Sequence, residues 1–209
     1  METSVIRKAW QTYRKRKTRI GIFIDFLFFA IILIVAVPQL RLGFCVYAIR
    51  ATLTQPRQTD RVIYIPNDSS TLRTAHGSDT TIHWLNDTPT LYNFGSIQSA
   101  QSRAEMRSLN RLAERYADSV RVIFLTEDEP EEVLEYINKR KYFALRPLFY
   151  VQEEEFWASH DFTSEMKKSI PSSILITDKG RVVIKKFGAA KWIGKKVDRI
   201  LHVIIGNGN

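Results

Sequence analysis

The stretch from Leu91 to Met106 constrains the fold more than any other part of the chain. Thr90 to Phe94 reads as a β-strand with a bulky residue at most positions, and a small polar turn carries it into a helix from about Ser102. A strand that turns straight into a helix is the unit from which α/β sheets are built, and such sheets place their chemistry at the carboxyl ends of the strands. The helix, from Ser102 to Ala117, sets Met106, Leu109, Leu112, Ala113 and Tyr116 on one apolar stripe, a face for packing on a sheet. Ser102 reads as its N-cap, with Glu105 at the third helical position completing a capping box.

The chain continues the same pattern. Val120 to Leu125 is apolar at every position but Arg121, as a buried parallel strand should be. Pro130 opens a second helix, where its missing N–H costs nothing. Glu131 and Glu132 fall in the first turn, and Lys139, Arg140 and Lys141 in the last, both suiting the helix dipole. Strand, helix, strand, helix predicts a right-handed crossover feeding a parallel sheet. Leu148 to Val151 is the next expected strand. In the following stretch, 152–168, Glu153, Glu154 and Glu155 read as a solvated face and Phe156 and Trp157 as core cover. Two further strands flank the tight turn Asp178-Lys-Gly180, where glycine supplies the positive φ. A last helix, Ala190 to Ile204, stripes Ile193, Val197, Ile200, Leu201 and Ile204. Upstream, Thr81 to Leu85 and Thr90 to Phe94 flank the turn Asn86 to Pro89, and Arg61 to Ile65 reads as a short strand within a linker. Asn67-Asp-Ser69 and Asn86-Asp-Thr88 fit the glycosylation acceptor pattern.

The amino-terminal region has a different character. Arg7, Lys8, Arg14, Lys15, Arg16, Lys17 and Arg19 precede the apolar run from Ile20 to Val37. At about 1.5 Å per residue that run spans roughly 27 Å as a helix, close to the hydrocarbon core of a bilayer. It ends at Pro38-Gln-Leu-Arg41 without a small-residue cleavage site, which favours an uncleaved anchor over a signal peptide. The positive-inside rule puts the amino terminus in the cytoplasm and everything after Pro38 outside it. Asp25, a carboxylate inside the span, is a candidate contact with a partner membrane helix. Leu42 to Leu53, flanked by Arg41 and Arg50, suits a short interfacial helix. Residues 1–50 hold nine Lys and Arg against Glu2 and Asp25, whereas residues 51–209 hold 22 against 20 acids. A nearly neutral domain behind a basic leader argues against a nucleic-acid reader. Cys45 is the one cysteine, so the chain builds no internal disulfide, no CxxC pair and no cysteine metal cage. Its surroundings read as membrane-proximal packing.

Arg103-Ala-Glu-Met106, followed by Ser108-Leu109, resembles the TlpA/ResA-like family of membrane-anchored, thioredoxin-like bacterial proteins. In that family the turn reads FWAxWCxxCRAEMPSL. The family's second signature, Ile-Pro-Thr-Thr with a following Gly, is matched by Ile170-Pro-Ser-Ser to Gly180, and its Gly-Ala-x-x-Trp by Gly188 to Trp192. The resemblance covers roughly Trp84 to Asn209. It implies an α/β, thioredoxin-like fold, a central mixed sheet flanked by helices, with one transmembrane helix ahead of it. The expected organisation is a leader at 1–19, the span at 20–38, an interfacial segment and linker at 39–79, and the thioredoxin-like domain at 80–209. The resemblance also implies that the family's cysteines fall on Ser99 and Ser102, that its two turn tryptophans fall on Gly95 and Gln98, and that the bond before Pro171 is cis.

Thiol–disulfide exchange needs a thiolate and a disulfide-forming partner, and serine supplies neither. Ser99 as a nucleophile would need a base held by a third group, yet His76, His83, His160 and His202 are scattered without such a context. No catalytic residue is therefore assigned, and no metal or cofactor motif is present. The expectation is a redox-inactive binding protein of the bacterial envelope, in the inner membrane with its domain in the periplasm. Its partners would be envelope or inner-membrane proteins, with lipid around the anchor and no nucleic acid. Gln98, Ser99, Gln101, Ile170, Pro171 and Ser172 form the candidate cleft for a partner peptide, whose backbone would pair in an extended manner. The alternative is a TlpA/ResA-type oxidoreductase whose cysteine pair has been replaced by serine.

Overall fold

The computed structural model describes residues 18–65, 68–150 and 166–206. The basic leader before Thr18, the acceptor Asn67, Val151 and the run from Glu153 to Trp157, with His160, lie outside these residues. The chain divides between Cys45 and Val46 into two compact units.

The first unit is built on helix α1 (Arg19–Ala36), which opens on Thr18, whose hydroxyl accepts from the Gly21 amide. By length and composition α1 can cross a membrane. Phe23, Phe26, Phe28 and Phe29 stand exposed along it. Helix α2 (Pro38–Thr52) starts on Pro38 itself, earlier than the expected start at Leu42, because proline's fixed φ suits a first helical position.

The second unit holds a seven-stranded mixed sheet: β1 (Ser69–Thr74), β2 (Asp79–His83), β3 (Thr90–Phe94), β4 (Arg121–Thr126), β5 (Arg146–Tyr150), β6 (Ser172–Ile176) and β7 (Val182–Phe187). The spatial order is β2-β1-β5-β4-β3-β6-β7. Between them run α3 (Ala100–Arg115) after β3, α4 (Pro130–Arg140) after β4, and α5 (Lys195–Gly206) after β7.

β3 is the central strand its composition called for. All five residues are buried, with β4 parallel on one edge and β6 antiparallel on the other. β4 and β5 are also parallel, as the two strand–helix units require. The strands that flank the Asn86–Pro89 turn lie far apart in the sheet: β2 pairs with β1 as an outer hairpin, and only β1 touches β5. β1 alternates exposed and buried residues, so it suits a position near the sheet's margin, whereas the uniformly buried β3 needs neighbours on both sides. This corrects the expected linker at 39–79, whose last part supplies β1 and one edge of β2. The segment around Tyr64 also joins the sheet by an isolated bridge to Arg181, with the Val182 amide donating to the Ile63 carbonyl and the Ile65 amide to that of Gly180.

Each face of the sheet has its own apolar cluster. Met106, Leu109 and Leu112 of α3, Val133 and Ile137 of α4, and Val197 and Leu201 of α5 pack with Leu91, Phe124 and Trp192. On the other face, Trp84, Tyr92, Phe94, Leu125, Met166 and Ile174 form the second cluster. The turn between β6 and β7 has Gly180 at φ 78°, the left-handed conformation for which glycine was expected.

Helix α5 begins at Lys195, later than the expected start near Ala190, and it is capped from a distance. The side-chain oxygen of Gln55 accepts from the amides of Lys196 at 2.9 Å and Val197 at 3.3 Å. It satisfies two of the donors that a helix leaves unpaired at its start. Replacing Gln55→Ala should lower the stability of the domain by about 1 kcal/mol, the usual worth of a cap. Urea unfolding of the full chain checks this, with unchanged stability counting against the cap.

Candidate functional site

β3 and β6 leave the sheet side by side, since Phe94 is in register with Ser172. The 95–99 turn and the 169–172 loop therefore emerge at the same end. The Ile170–Pro171 bond is cis, as the resemblance implied. Pro171 is buried, and its carbonyl accepts from the Gly188 amide at 2.8 Å. Ile170 is half-buried, and Ser172 is fully buried with its hydroxyl donating to the Met166 carbonyl.

The turn after β3 is held by hydroxyls and one aspartate. Gly95 still pairs with β4, its amide donating to the Leu125 carbonyl. A Cβ on Gly95 would come within 2.6 Å of the Phe124 ring, a buried side chain with nowhere to move. The ring takes the space a residue larger than glycine would need. The Ser96 amide donates to the Ser102 hydroxyl at 3.1 Å, and the Ser96 hydroxyl to one carboxylate oxygen of Asp128 at 2.7 Å. The other oxygen of Asp128 accepts from the Ile97 amide and the Thr126 hydroxyl.

Helix α3 starts at Ala100, with Ser99 as its N-cap: the Ser99 side chain accepts from the Ser102 amide at 3.4 Å. The expectation that Ser102 caps the helix, in a capping box with Glu105, is thus corrected by three residues. Ser102 is fully buried in the first turn and turns its hydroxyl back towards Ser96. Ser99 is half-buried, whereas Gln98 and Gln101 are exposed. The Gln98 amide donates to Glu132 on α4 at 2.9 Å. Asp25 lies apart from this site in sequence and unit, half-buried on α1.

Glu105 lies beneath the turn with no exposure at all. One of its oxygens accepts from the Asn93 amide at 2.8 Å; the other accepts from the Ala190 backbone amide at 2.8 Å and the Trp192 indole at 3.4 Å. Asn93 also donates to the Ser173 hydroxyl at 2.8 Å, while its own carbonyl oxygen has no partner. Burial pushes the Glu105 carboxyl up from 4.5 to about 7, with the three donors and Lys186 pulling the other way.

Sequence reasoning missed Asp128 and Asn93. The signal for Asp128 was its place just past the carboxyl end of a predicted strand, two residues before the helix-opening Pro130. Asn93 offered a weaker one, as the one amide side chain in an otherwise bulky strand. Among the described residues, no three His, Cys, Asp or Glu side chains converge to hold a metal ion.

No protein-family profile matches the sequence, and no curated protein matches it. The likeness lies in structure. A thioredoxin-family thiol:disulfide interchange protein from Chlorobium tepidum superposes with a TM-score of 0.54 at 19% identity, over 71% of this chain and all of the other. A thiol:disulfide interchange protein from a Bacteroides species gives 0.53 at 15% identity, over 74% of this chain and 91% of the other. The thioredoxin domain of an oxidoreductase from Bacteroides vulgatus gives 0.52 at 15%, over 69% and 99%. The fold is thioredoxin-like: a mixed sheet flanked by helices, preceded by one helix long and apolar enough to span a membrane.

Because the folded-state pKa of Glu105 lies above the unfolded one, the native state holds that proton more tightly. The stability this group contributes is complete below 4.5 and is lost as pH rises to about 7. The loss is on the order of 3 kcal/mol. Urea unfolding across this range should show the decline, and Glu105→Gln should flatten it. An unchanged slope in the variant would assign the decline to other groups.

Proposed function

We propose that this chain is a membrane-anchored, extracytoplasmic, redox-inactive member of the TlpA/ResA-like group that works by binding other proteins of the bacterial envelope. The observation that carries this reading is the pair of hydroxyls at the turn. Ser99 is used as a helix cap and Ser102 is buried as an acceptor for the Ser96 amide. Where a thioredoxin-like enzyme needs an attacking thiolate and a resolving thiol, neither hydroxyl can be oxidised to a disulfide. Two further features support the loss: glycine at 95, with the Phe124 ring filling the space, and the polar, exposed Gln98.

What the site retains is a place to bind. The exposed amides of Gln98 and Gln101 stand at the end of the sheet where the loop at Ile170 and Pro171 emerges. With Ser99 and the half-buried Ile170, they offer polar groups and an apolar edge to an extended peptide. The basic leader and α1 support an inner-membrane anchor with its amino terminus in the cytoplasm. Asp25 on that helix is the proposed contact with a companion membrane subunit.

A second reading takes its support from the neighbouring structures that are described as thiol:disulfide interchange proteins. In it the chain is such an oxidoreductase with serine substituted for both cysteines, and the native gene should carry cysteine codons at 99 and 102. For the favoured reading, a photo-crosslinking residue at Gln98, placed in the full chain in cells, should capture a discrete envelope protein. The same residue at the exposed Lys179 of the β6–β7 turn should not. Identical products from both positions, or none from 98, would defeat it. The purified chain with Cys45 blocked should reduce insulin no faster than buffer, and any faster turnover would count for the enzyme.

A further inference from the structure

Beside the turn, two arginines from different helices lie over one phenol ring, and a third, from another helix, bonds to the backbone next to one of them. The Arg103 guanidinium of α3 lies 5.0 Å from the centroid of Tyr136, and that of Arg140, on α4, lies 5.5 Å from it. Arg50, in the last turn of α2, donates to the backbone carbonyls of Ala104 at 3.3 Å and Arg103 at 3.5 Å. Burial raises the Tyr136 hydroxyl's pKa, and the charges of Arg140, Arg103 and Arg50 oppose it.

Like charges gathered in this way repel, and folded chains ordinarily set a carboxylate among them. Here no carboxylate among the described residues forms an ion pair with them. Among the described residues, ion pairs join Arg73 to Asp79 and Arg115 to Asp198, and none involves Arg50, Arg103 or Arg140. Glu132, one turn up α4 from Tyr136, is taken by the Gln98 amide. Tyr136 and the three arginines keep solvent access, Arg140 most of all. The cluster also abuts the turn, because Arg103 donates its Nε–H to the Ile97 carbonyl, next to Gln98.

We infer that Arg103 and Arg140, held over Tyr136, and Arg50, bonded to the backbone at Arg103 and Ala104, receive an acidic segment of the protein partner that docks at Gln98. The inference rests on the protein-binding reading of the turn and names the chemistry of the partner. Guanidiniums hold carboxylates with two parallel hydrogen bonds, and three of them close together select for clustered Asp or Glu side chains. The ring fixes two of the three guanidiniums in place, so little side-chain freedom is lost when the acids arrive.

The test measures binding of a labelled oligoglutamate peptide, and of an oligoglutamine peptide of equal length, to the full chain in neutral detergent micelles. Oligoglutamate should bind and oligoglutamine should not. Arg103→Gln with Arg140→Gln should weaken oligoglutamate at least about tenfold, in keeping with arginines as binding hot spots. Arg50→Gln with Arg140→Gln should do the same while leaving the Arg103 to Ile97 bond intact. Arg121→Gln with Arg146→Gln removes equal charge at the opposite end of the sheet and should change binding less than twofold. An equal loss in that control, no binding by the unaltered chain, or retention only by phosphatidylglycerol vesicles would overturn the inference. So would undiminished capture of the same partner from position 98 by the Arg50→Gln, Arg140→Gln chain, an outcome that leaves the protein-binding reading in place.

Discussion

A carboxylate shut away from water must be answered by donors, and Glu105 draws its donors from two separate parts of the domain. Asn93 comes from the central strand, the Ala190 amide from the loop before α5, and the indole of Trp192 from the same loop. Asn93 in turn reaches Ser173 on the neighbouring strand. Desolvating a lone carboxylate costs several kcal/mol, so each of these groups is obliged to be where it is. The position of α3 on the sheet, the start of β6 and the approach to α5 are thereby tied to one another. The turn that carries Ser99 and Ser102 is the upper edge of that arrangement.

Above Glu105, the turn is itself a small polar structure. Asp128 gathers the Ser96 hydroxyl, the Ile97 amide and the Thr126 hydroxyl, so the loop after β4 braces the loop after β3. Ser102 and Ser99 complete it, one as an acceptor inside and one as a helix cap. Both hydroxyls are structural parts of the turn. A site held so fully by its own hydrogen bonds is suited to presenting a fixed surface, with Gln98 and Gln101 on the outside.

The parts of the fold legible in the sequence were those with local causes. The start of α4 follows from Pro130 and its end from the charges there, although Lys141, expected in the last turn, caps the helix from just beyond it. The β6–β7 turn followed from a glycine that alone tolerates its φ. β3 announced its centrality by lacking a polar face. Less legible were features with remote causes. The cap of α5 comes from Gln55, far away in the chain, so no local signal marks Lys195 as α5's first residue. Ser102 satisfied every local rule for a cap, yet Ser99 took that role, because Glu105 was claimed by the core instead of by the helix's own amino end.

The sequence by itself determined that an apolar helix precedes a domain of strand–helix units, that no cysteine pair exists, and that serines stand at the mouth of the central helix. Composition and periodicity suffice for these, because burial and covalent chemistry are properties of residue types. Only the tertiary structure decided that β1 and β2 extend the sheet, that Asp128 braces the turn, and that Arg103 and Arg140 share one tyrosine. Each of these joins residues from separate elements, and hydrogen bonds and charges act over a few ångströms of space whatever their separation along the chain.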